Sequence, residues 1–310
     1  MRVLVTGGAG YIGSVLTGHF LRAGHAVTVI DSLLHGVQGL YAYCGDRSFD
    51  FVFGDARDER VMRPAIAAHD VIVPLAAIVG MPACERDAVN AQTTNYDAIA
   101  LINRLRSPNQ RVIYPCTNSG YGTKSGSVFC TEETPLEPVS LYGRTKVDAE
   151  RLLLEAGSAV TLRLATVFGV SPRMRLDLLV NDFVFRAARD RVLVLYEAHF
   201  KRNYIHLEDV GRAFVHALDR WDVMQGQAYN AGLDDANLSK RELAERIGTY
   251  VPGLYIHEAA LGADPDRRNY IVSNEKIRKA GFVAQRSLDE GIRELLVAFR
   301  MTPRSPLVNA

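Results

Sequence analysis

Tyr142 and Lys146 stand four residues apart in Tyr142-Gly143-Arg144-Thr145-Lys146, inside a segment with helical periodicity. Residues so spaced share one face of a helix. A free tyrosine has a pKa of about 10 and is a poor base at neutral pH. Close cations favour its phenolate form. Lowering the pKa by about 3 units takes about 4 kcal/mol, which two close cations in a dry site can supply. Tyr142 is therefore a candidate general acid/base and Lys146 its tuner. A third group, a hydroxyl able to hold a reacting oxygen, is expected in Tyr114-Pro115-Cys116-Thr117-Asn118-Ser119-Gly120-Tyr121-Gly122. Thr117 is the first choice and Ser119 the second. The plain alternative for either is a hydroxyl that caps a turn.

A tyrosine and lysine at this spacing are common by chance, so the reading rests on what precedes them. Thr6-Gly7-Gly8-Ala9-Gly10-Tyr11-Ile12-Gly13 follows an apolar run and opens a helical segment. Gly7, Gly10 and Gly13 have the spacing that lets a backbone approach a pyrophosphate and a helix pack on a strand. The helix start, at Tyr11 and Ile12, then presents N–H groups and a favourable dipole to the phosphates. Asp31 closes the second apolar run, where a carboxylate accepts from the adenosine ribose hydroxyls. It would repel a 2′-phosphate, and no arginine follows in Ser32-Leu33-Leu34-His35, so the expected cofactor is NAD rather than NADP. Asp55, followed by Ala56, is placed to accept from the adenine amino group; its alternative is a helix N-cap. Leu75, Ala76 and Ala77 leave room for the cofactor across the sheet edge. The nicotinamide ring would be the second cation near Tyr142, and Lys146 would also donate to the nicotinamide ribose.

These residues need a frame that brings them together. Short apolar runs at Val3–Val5, Val27–Ile30, Phe51–Phe53, Val71–Pro74 and Val112–Tyr114 read as buried parallel strands. Helical periodicity fills the gaps at Ile12–Arg22, Asp58–Ala68 and Asp87–Arg106. A helix over Leu141–Glu155 and a strand over Val160–Leu164 follow. Alternation of this kind predicts an α/β fold, a Rossmann-type doubly wound parallel sheet. After Thr166 the pattern loosens. Helices are expected near Asp177–Arg189, Leu207–Arg220, Ser239–Ile247 and Leu288–Ala298, with strands at Val192–Leu195, Tyr204–His206 and Leu254–Ile256. The expected division is a dinucleotide domain over 1–165 and a smaller mixed α/β substrate lobe over 166–310, interleaved and with an approximate boundary.

Composition narrows the classes. Thirty-six basic against 35 acidic side chains give a net charge of +1, so no nucleic-acid partner is expected. Cys44, Cys84, Cys116 and Cys130 fit no common metal motif, and no metal site is expected. Free thiols in a reducing compartment are the expectation. The N-terminus runs straight into Val3-Leu4-Val5, and no apolar stretch approaches the roughly 20 residues that span a bilayer. No membrane partner is expected, and the expected address is the cytoplasm.

Taken together, the glycine loop, Asp31, Gly54-Asp55, Leu75-Ala76-Ala77, Asn95, Thr117–Gly122, Tyr142–Lys146 and Arg202-Asn203-Tyr204-Ile205-His206-Leu207-Glu208-Asp209 resemble the extended short-chain dehydrogenase/reductase family. Within it the chain is similar to NAD-dependent nucleotide-sugar epimerases and dehydratases, those like UDP-glucose 4-epimerase included. The resemblance implies Asn95 as a cofactor residue and a nucleotide-diphosphate sugar as substrate. It implies that Tyr142 takes a proton from a sugar hydroxyl while hydride leaves the same carbon for NAD. The 4,6-dehydratases carry Asp-Glu after the residue matching Thr117, where this chain has Asn118-Ser119. That pair lacks the carboxyl chemistry for losing water. The 3,5-epimerases place a cysteine where Ser119 stands. The resemblance therefore favours C4 epimerisation. Many 4-epimerases, however, have asparagine where this chain has Thr166, a departure that points to a substrate other than UDP-glucose.

For the substrate, Arg202 matches the family's diphosphate arginine, Arg268 in Asp266-Arg267-Arg268-Asn269-Tyr270 a second, and Asn181 an asparagine beside the diphosphate and base. Thr166, Thr117 and Ser119 complete the expected substrate contacts. Arg173 and Arg175 lie at a plausible lid and stay outside that set. A homodimer is expected through helices Asp87–Arg106 and Leu141–Glu155. Two other readings stand beside the epimerase. One is a nucleotide-sugar dehydrogenase, reductase or dehydratase; the other is a non-catalytic NAD-binding regulator.

Overall fold

The computed structural model describes residues 1–124, 128–260 and 268–301. Five strands, β1 (Arg2–Thr6), β2 (Ala26–Asp31), β3 (Phe49–Phe53), β4 (Val71–Pro74) and β5 (Arg111–Thr117), alternate with helices α1 (Gly13–Arg22), α2 (Glu59–Ala68), α3 (Met81–Arg86), α4 (Ala88–Gln92) and α5 (Ala98–Leu105). A short strand β6 (Phe129–Cys130) precedes α6 (Leu141–Ala156) and β7 (Ala159–Leu164). Then come β8 (Thr166–Phe168), α7 (Leu179–Asp190), β9 (Val192–Leu195), β10 (Lys201–His206), α8 (Leu207–Asp219), α9 (Trp221–Met224) and β11 (Gln227–Ala231). The chain continues through β12 (Asn237–Ser239), α10 (Lys240–Gly248), β13 (Tyr255–Glu258), β14 (Ile271–Val272), α11 (Glu275–Lys279) and α12 (Leu288–Met301).

The main sheet has seven parallel strands in the order β11-β7-β5-β4-β1-β2-β3. Alternate residues of β1 point to opposite faces, as a strand period of two requires. Val3 and Val5 join Leu16, Phe20, Val210 and Phe214 on the side of α1 and α8. Leu4 joins Met62, Ile66, Ile99, Ile102 and Leu153 on the side of α2, α5 and α6. A third core, with Phe168, Val184, Leu193, Tyr204, Leu243, Ile292 and Leu295, fills the smaller lobe. Its sheets are β12-β10-β8, β13-β9 and β14-β6. The two halves of the chain interleave. β11 forms an edge of the main sheet and α8 packs on α1, so residues beyond 166 complete the first layer.

The expected helix Asp87–Arg106 is broken into α4, a π turn (Thr93–Asp97) and α5. The π turn buries Asn95, and such turns re-aim a side chain that a regular helix would send elsewhere. No helix among the described residues is long and apolar enough to cross a membrane, and no group of three His, Cys, Asp or Glu among them could hold a metal ion. All four cysteines are free, with Cys84, Cys116 and Cys130 buried.

Helix α6 is fixed to the sheet by a buried ion pair. Arg163 on β7 donates to Glu150 Oε1 through Nε at 3.0 Å and Nη2 at 2.7 Å, and Glu150 Oε2 accepts from Thr161 at 2.8 Å. Arg163 Nη1 donates to the Tyr121 hydroxyl and the Glu132 carbonyl. The side chains of Arg163 and Glu150 are 7% and 3% exposed. Removing one partner leaves the other charge uncompensated in the interior, which costs about 3–5 kcal/mol. We expect Arg163→Met to lose about that much stability in urea unfolding, and Arg163→Met/Glu150→Leu to recover much of it. A single variant losing less than about 1 kcal/mol would contradict this account.

Candidate active site

The glycine loop fits a pyrophosphate by what surrounds each glycine. Gly7 has φ +73°, and a Cβ there would meet the Ala76 nitrogen at 2.5 Å. That contact closes β1 onto the loop after β4, at the point where strand order reverses and α/β sheets open a crevice. A Cβ on Gly13 would meet the Gly7 carbonyl oxygen at 2.4 Å, so α1 can pack tightly only without one. At Gly10 the nearest protein atom would be the Gly7 oxygen at 3.2 Å. The protein itself constrains Gly10 least, as expected where the close neighbour is a ligand. Helix α1 has no side-chain cap and no acid in its first turn. The N–H groups of Tyr11 and Ile12 find no acceptor among the described residues. An uncapped helix start with spare donors suits an anion.

Asp31 steadies this loop. Its oxygens accept from Ala9 N at 2.9 Å and Leu33 N at 2.7 Å. Each keeps a second lone pair for a ribose hydroxyl. Asp55 is clasped by the Arg57 fork at 2.6–3.1 Å, which holds its carboxyl below the usual range. The helix-cap alternative for Asp55 is corrected. Asp58 caps α2 by accepting from Arg60 N at 2.9 Å. Ala56 is buried, and Leu75 N donates to the Thr6 carbonyl at 2.9 Å, leading Ala76 and Ala77 past Gly7.

Asn95 is 1% exposed, and its amide is committed to the protein. It accepts from Ile78 N at 2.8 Å and donates to Ile78 O at 2.9 Å and Thr145 Oγ1 at 3.3 Å. Thr145 in turn donates to the Tyr142 carbonyl at 3.0 Å. Asn95 therefore couples the loop after β4 to the helix of Tyr142.

Ser140 caps α6, accepting from Gly143 N at 3.1 Å, and so starts the helix just before Tyr142. Lys146 lies one turn on, 4% exposed, with its ammonium 4.0 Å from the centre of the Tyr114 ring. Burial pushes Tyr142 up to about 12, Cys116 adds to the rise, and the cations that oppose it are Arg175 and Arg268. Burial pulls Lys146 down to about 8 against the pull of Cys116 and Glu150. The protein's own groups thus keep Tyr142 a neutral phenol at pH 7 and leave Lys146 a cation under strain.

At the end of β5, Thr117 Oγ1 accepts from Ser119 N at 3.1 Å and donates to Ser119 Oγ at 2.9 Å. Arg268 Nη1 also donates to Ser119 Oγ. With Thr117's proton and both acceptor sites of Ser119 engaged, the Ser119 hydroxyl keeps a proton to give. Thr117 thus caps the turn and orients Ser119, and both hydroxyls lie at the strand end where the sequence places the third group.

Asn181 is fully buried, and its amide ties three segments together. It accepts from Gly169 N at 3.1 Å and donates to Arg175 O at 2.9 Å and the Tyr11 hydroxyl at 3.3 Å. Tyr11 itself donates to Gly169 O at 2.7 Å, so this knot ties the glycine loop to the segment after β8. Arg202 is 3% exposed on β10, with its guanidinium 5.8 Å from the Tyr270 ring centre, so it is no solvated surface chain. Thr166 opens β8, partly buried. Asp266 and Arg267 lie outside the described residues. One contributor escaped the sequence reading: Glu150, one turn beyond Lys146, was signalled only by its spacing. Arg175, expected at a lid and left outside the substrate set, pairs with Asp177.

A parallel sheet in this order, with a glycine loop at its switch point and a tyrosine–lysine helix beside the strand ends, defines a short-chain dehydrogenase-type enzyme fold. The chain belongs to the NAD dependent epimerase/dehydratase family, whose model matches residues 3–232, and its cofactor is NAD. It is 29% identical to the low-salt glycan biosynthesis protein Agl12 of Haloferax volcanii, over 94% of this chain and 96% of that one. It is 28% identical to a probable UDP-arabinose 4-epimerase of Arabidopsis thaliana, over 74% of this chain and 64% of that one. The solved dTDP-glucose 4,6-dehydratase DesIV of Streptomyces venezuelae superposes with a TM-score of 0.83 at 26% identity, over 97% of each chain.

Charging a buried lysine destabilises the fold. We expect Lys146→Met to raise thermal stability by about 1–3 kcal/mol at pH 7 while abolishing turnover. The sign follows from the lowered pKa. The gain is full below about pH 8, where folded Lys146 is charged, and fades as pH rises towards the unfolded value of 10.5. A variant less stable than the parent at pH 7 would overturn this.

Proposed function

We propose that the chain epimerises a nucleoside-diphosphate sugar at C4 through a transient 4-keto sugar, with Tyr142 as acid/base. When bound, NAD supplies a hydride acceptor and donor and a positive ring beside Tyr142. Tyr142 takes the C4 hydroxyl proton as hydride leaves C4, and gives a proton back when hydride returns to the opposite face. Electrons and atoms balance without a second substrate. Ser119 donates to the reacting oxygen and Thr117 orients Ser119. Lys146 donates to the nicotinamide ribose, and Arg202 serves the diphosphate. The adenosine end is assigned to Asp31 and Asp55, and the phosphates to the N–H groups of Tyr11 and Ile12.

One observation supports epimerisation over loss of water. The turn beside Tyr142 carries Asn118 and Ser119, an amide and a hydroxyl engaged with Thr117 and Arg268, and no carboxyl group. Neither can exchange the proton that dehydration across C5 and C6 demands. A homodimer built on α4, α5 and α6, and a cytoplasmic setting, belong to the same proposal.

Purified protein, given UDP-, GDP-, CDP- and dTDP-sugars, tests it by NMR of sugar configuration and nicotinamide absorbance together. Inversion at C4 without net NADH is the expected result. Tyr142→Phe should lose about 10²- to 10⁴-fold in kcat and still bind NAD. NADH accumulating with a keto-sugar would make the chain a dehydrogenase, and loss of water a dehydratase.

A further inference from the structure

Lys146 is a buried cation whose ammonium makes no hydrogen bond with the described residues. Glu150, one turn further along α6, engages Arg163 with one oxygen and Thr161 with the other. What stands against the ammonium is a ring: Nζ lies 4.0 Å from the centre of Tyr114. Tyr114 is fully buried on β5, two residues before Cys116, and both face α6 together with Ala149 and Leu153. Cys116 Sγ donates to the Lys146 carbonyl at 3.7 Å. One strand therefore meets the lysine twice, its backbone at Cys116 and its ammonium at Tyr114. The Tyr114 hydroxyl has no partner among the described residues, so what this tyrosine offers is the face of its ring.

A buried ammonium needs an answer to its charge. A carboxylate would supply one, but it would also take N–H donors in fixed directions. A ring face attracts the cation through its quadrupole, most strongly where water is excluded, and it has no lone pairs to fill. The N–H groups turned away from the ring stay available to a hydroxyl acceptor. An aliphatic side chain of similar volume would pack as well and give the charge nothing.

We propose that Tyr114 is the positioning residue of Lys146: its ring face holds the buried ammonium in place and charged, with donors left for the nicotinamide ribose. The ribose half rests on the assignment of Lys146 under the proposed function, and the ring half does not. Tyr114 acts through Lys146 alone.

The full chain is labelled with carbon-13 at lysine Cε, and the resonance missing from Lys146→Met identifies Lys146 among the six lysines. In the parent its titration midpoint is expected at about pH 8. Tyr114→Phe keeps the ring and should stay within about 0.3 pH units of the parent. Tyr114→Leu and Tyr114→Met lack the ring and should titrate about one pH unit lower, because the ammonium loses an attraction that the neutral amine never had. A midpoint unmoved in a folded ring-less variant overturns the proposal. Calorimetric titration with NAD at about pH 7.5 reads the other half. The ring-less variants should bind NAD on the order of 3- to 10-fold more weakly, and Tyr114→Leu should add no loss to Lys146→Met. A further loss in that background would make Tyr114 a packing residue and overturn its action through Lys146. A midpoint that moves while NAD affinity holds would reject the ribose assignment and leave the ring as the seat of the lysine.

Discussion

The arrangement of the site depends on the buried pair between Arg163 and Glu150. Nearly every polar atom of the pair is used. Nε and Nη2 of Arg163 meet one carboxylate oxygen, Thr161 meets the other, and Nη1 passes to Tyr121 and Glu132. Tyr121 then donates to Asn230 at 2.7 Å, and Asn230 N donates to the Glu132 side chain at 2.7 Å. One network therefore pins α6, β7, β11 and the turn after β5 to each other. Hydrophobic residues of equal volume could hold these layers as firmly. They could not fix the rotation of α6 as closely, and that rotation decides where Tyr142 and Lys146 point. The pair is best understood as a device for register.

Gly7, Asn95 and Asn181 extend the same logic to the cofactor side. Each is a short link between two elements: β1 to the loop after β4, that loop to α6, and the glycine loop to the segment after β8. Both amides donate and accept within the protein. Their value to the site lies in what they hold, so replacing either is expected to disturb geometry before it disturbs any ligand contact.

The central strands and the glycine loop were legible because their signals are local. Val3–Val5, Val27–Ile30 and Val71–Pro74 are β-branched runs bounded by turn residues; the structure extends the first two by one residue at each end and keeps the third as it stands. β11, Gln-Ala-Tyr-Asn-Ala, was not legible. Its small and polar residues carry no strand pattern, and it is a strand because β7 offers it a parallel edge. The π turn was hidden for a related reason. Thr93-Thr94-Asn95-Tyr96-Asp97 has no periodicity of its own, and its geometry follows from the partners of Asn95. The site residues were legible as types, but not in their division of labour. Whether Thr117 or Ser119 keeps a spare proton turns on Arg268, 149 positions away from Ser119.

The same distance separates expectation from structure in the charges around Tyr142. Spacing places Lys146 on the face of Tyr142, yet the lysine ammonium settles on the Tyr114 ring and answers to Glu150, on the core side of the helix. The cations that act on Tyr142 come from the smaller lobe. Two charge systems therefore meet at one helix. The inner one, of Lys146, Glu150 and Arg163, is closed by the protein and sets position. The outer one, of Arg175 and Arg268, acts on Tyr142 from the smaller lobe and opposes the effect of burial. Burial outweighs both and pushes the Tyr142 phenol upward. A positive nicotinamide ring held beside Tyr142 would add a further cation and would favour the phenolate, so the proposed acid/base role would depend on bound NAD.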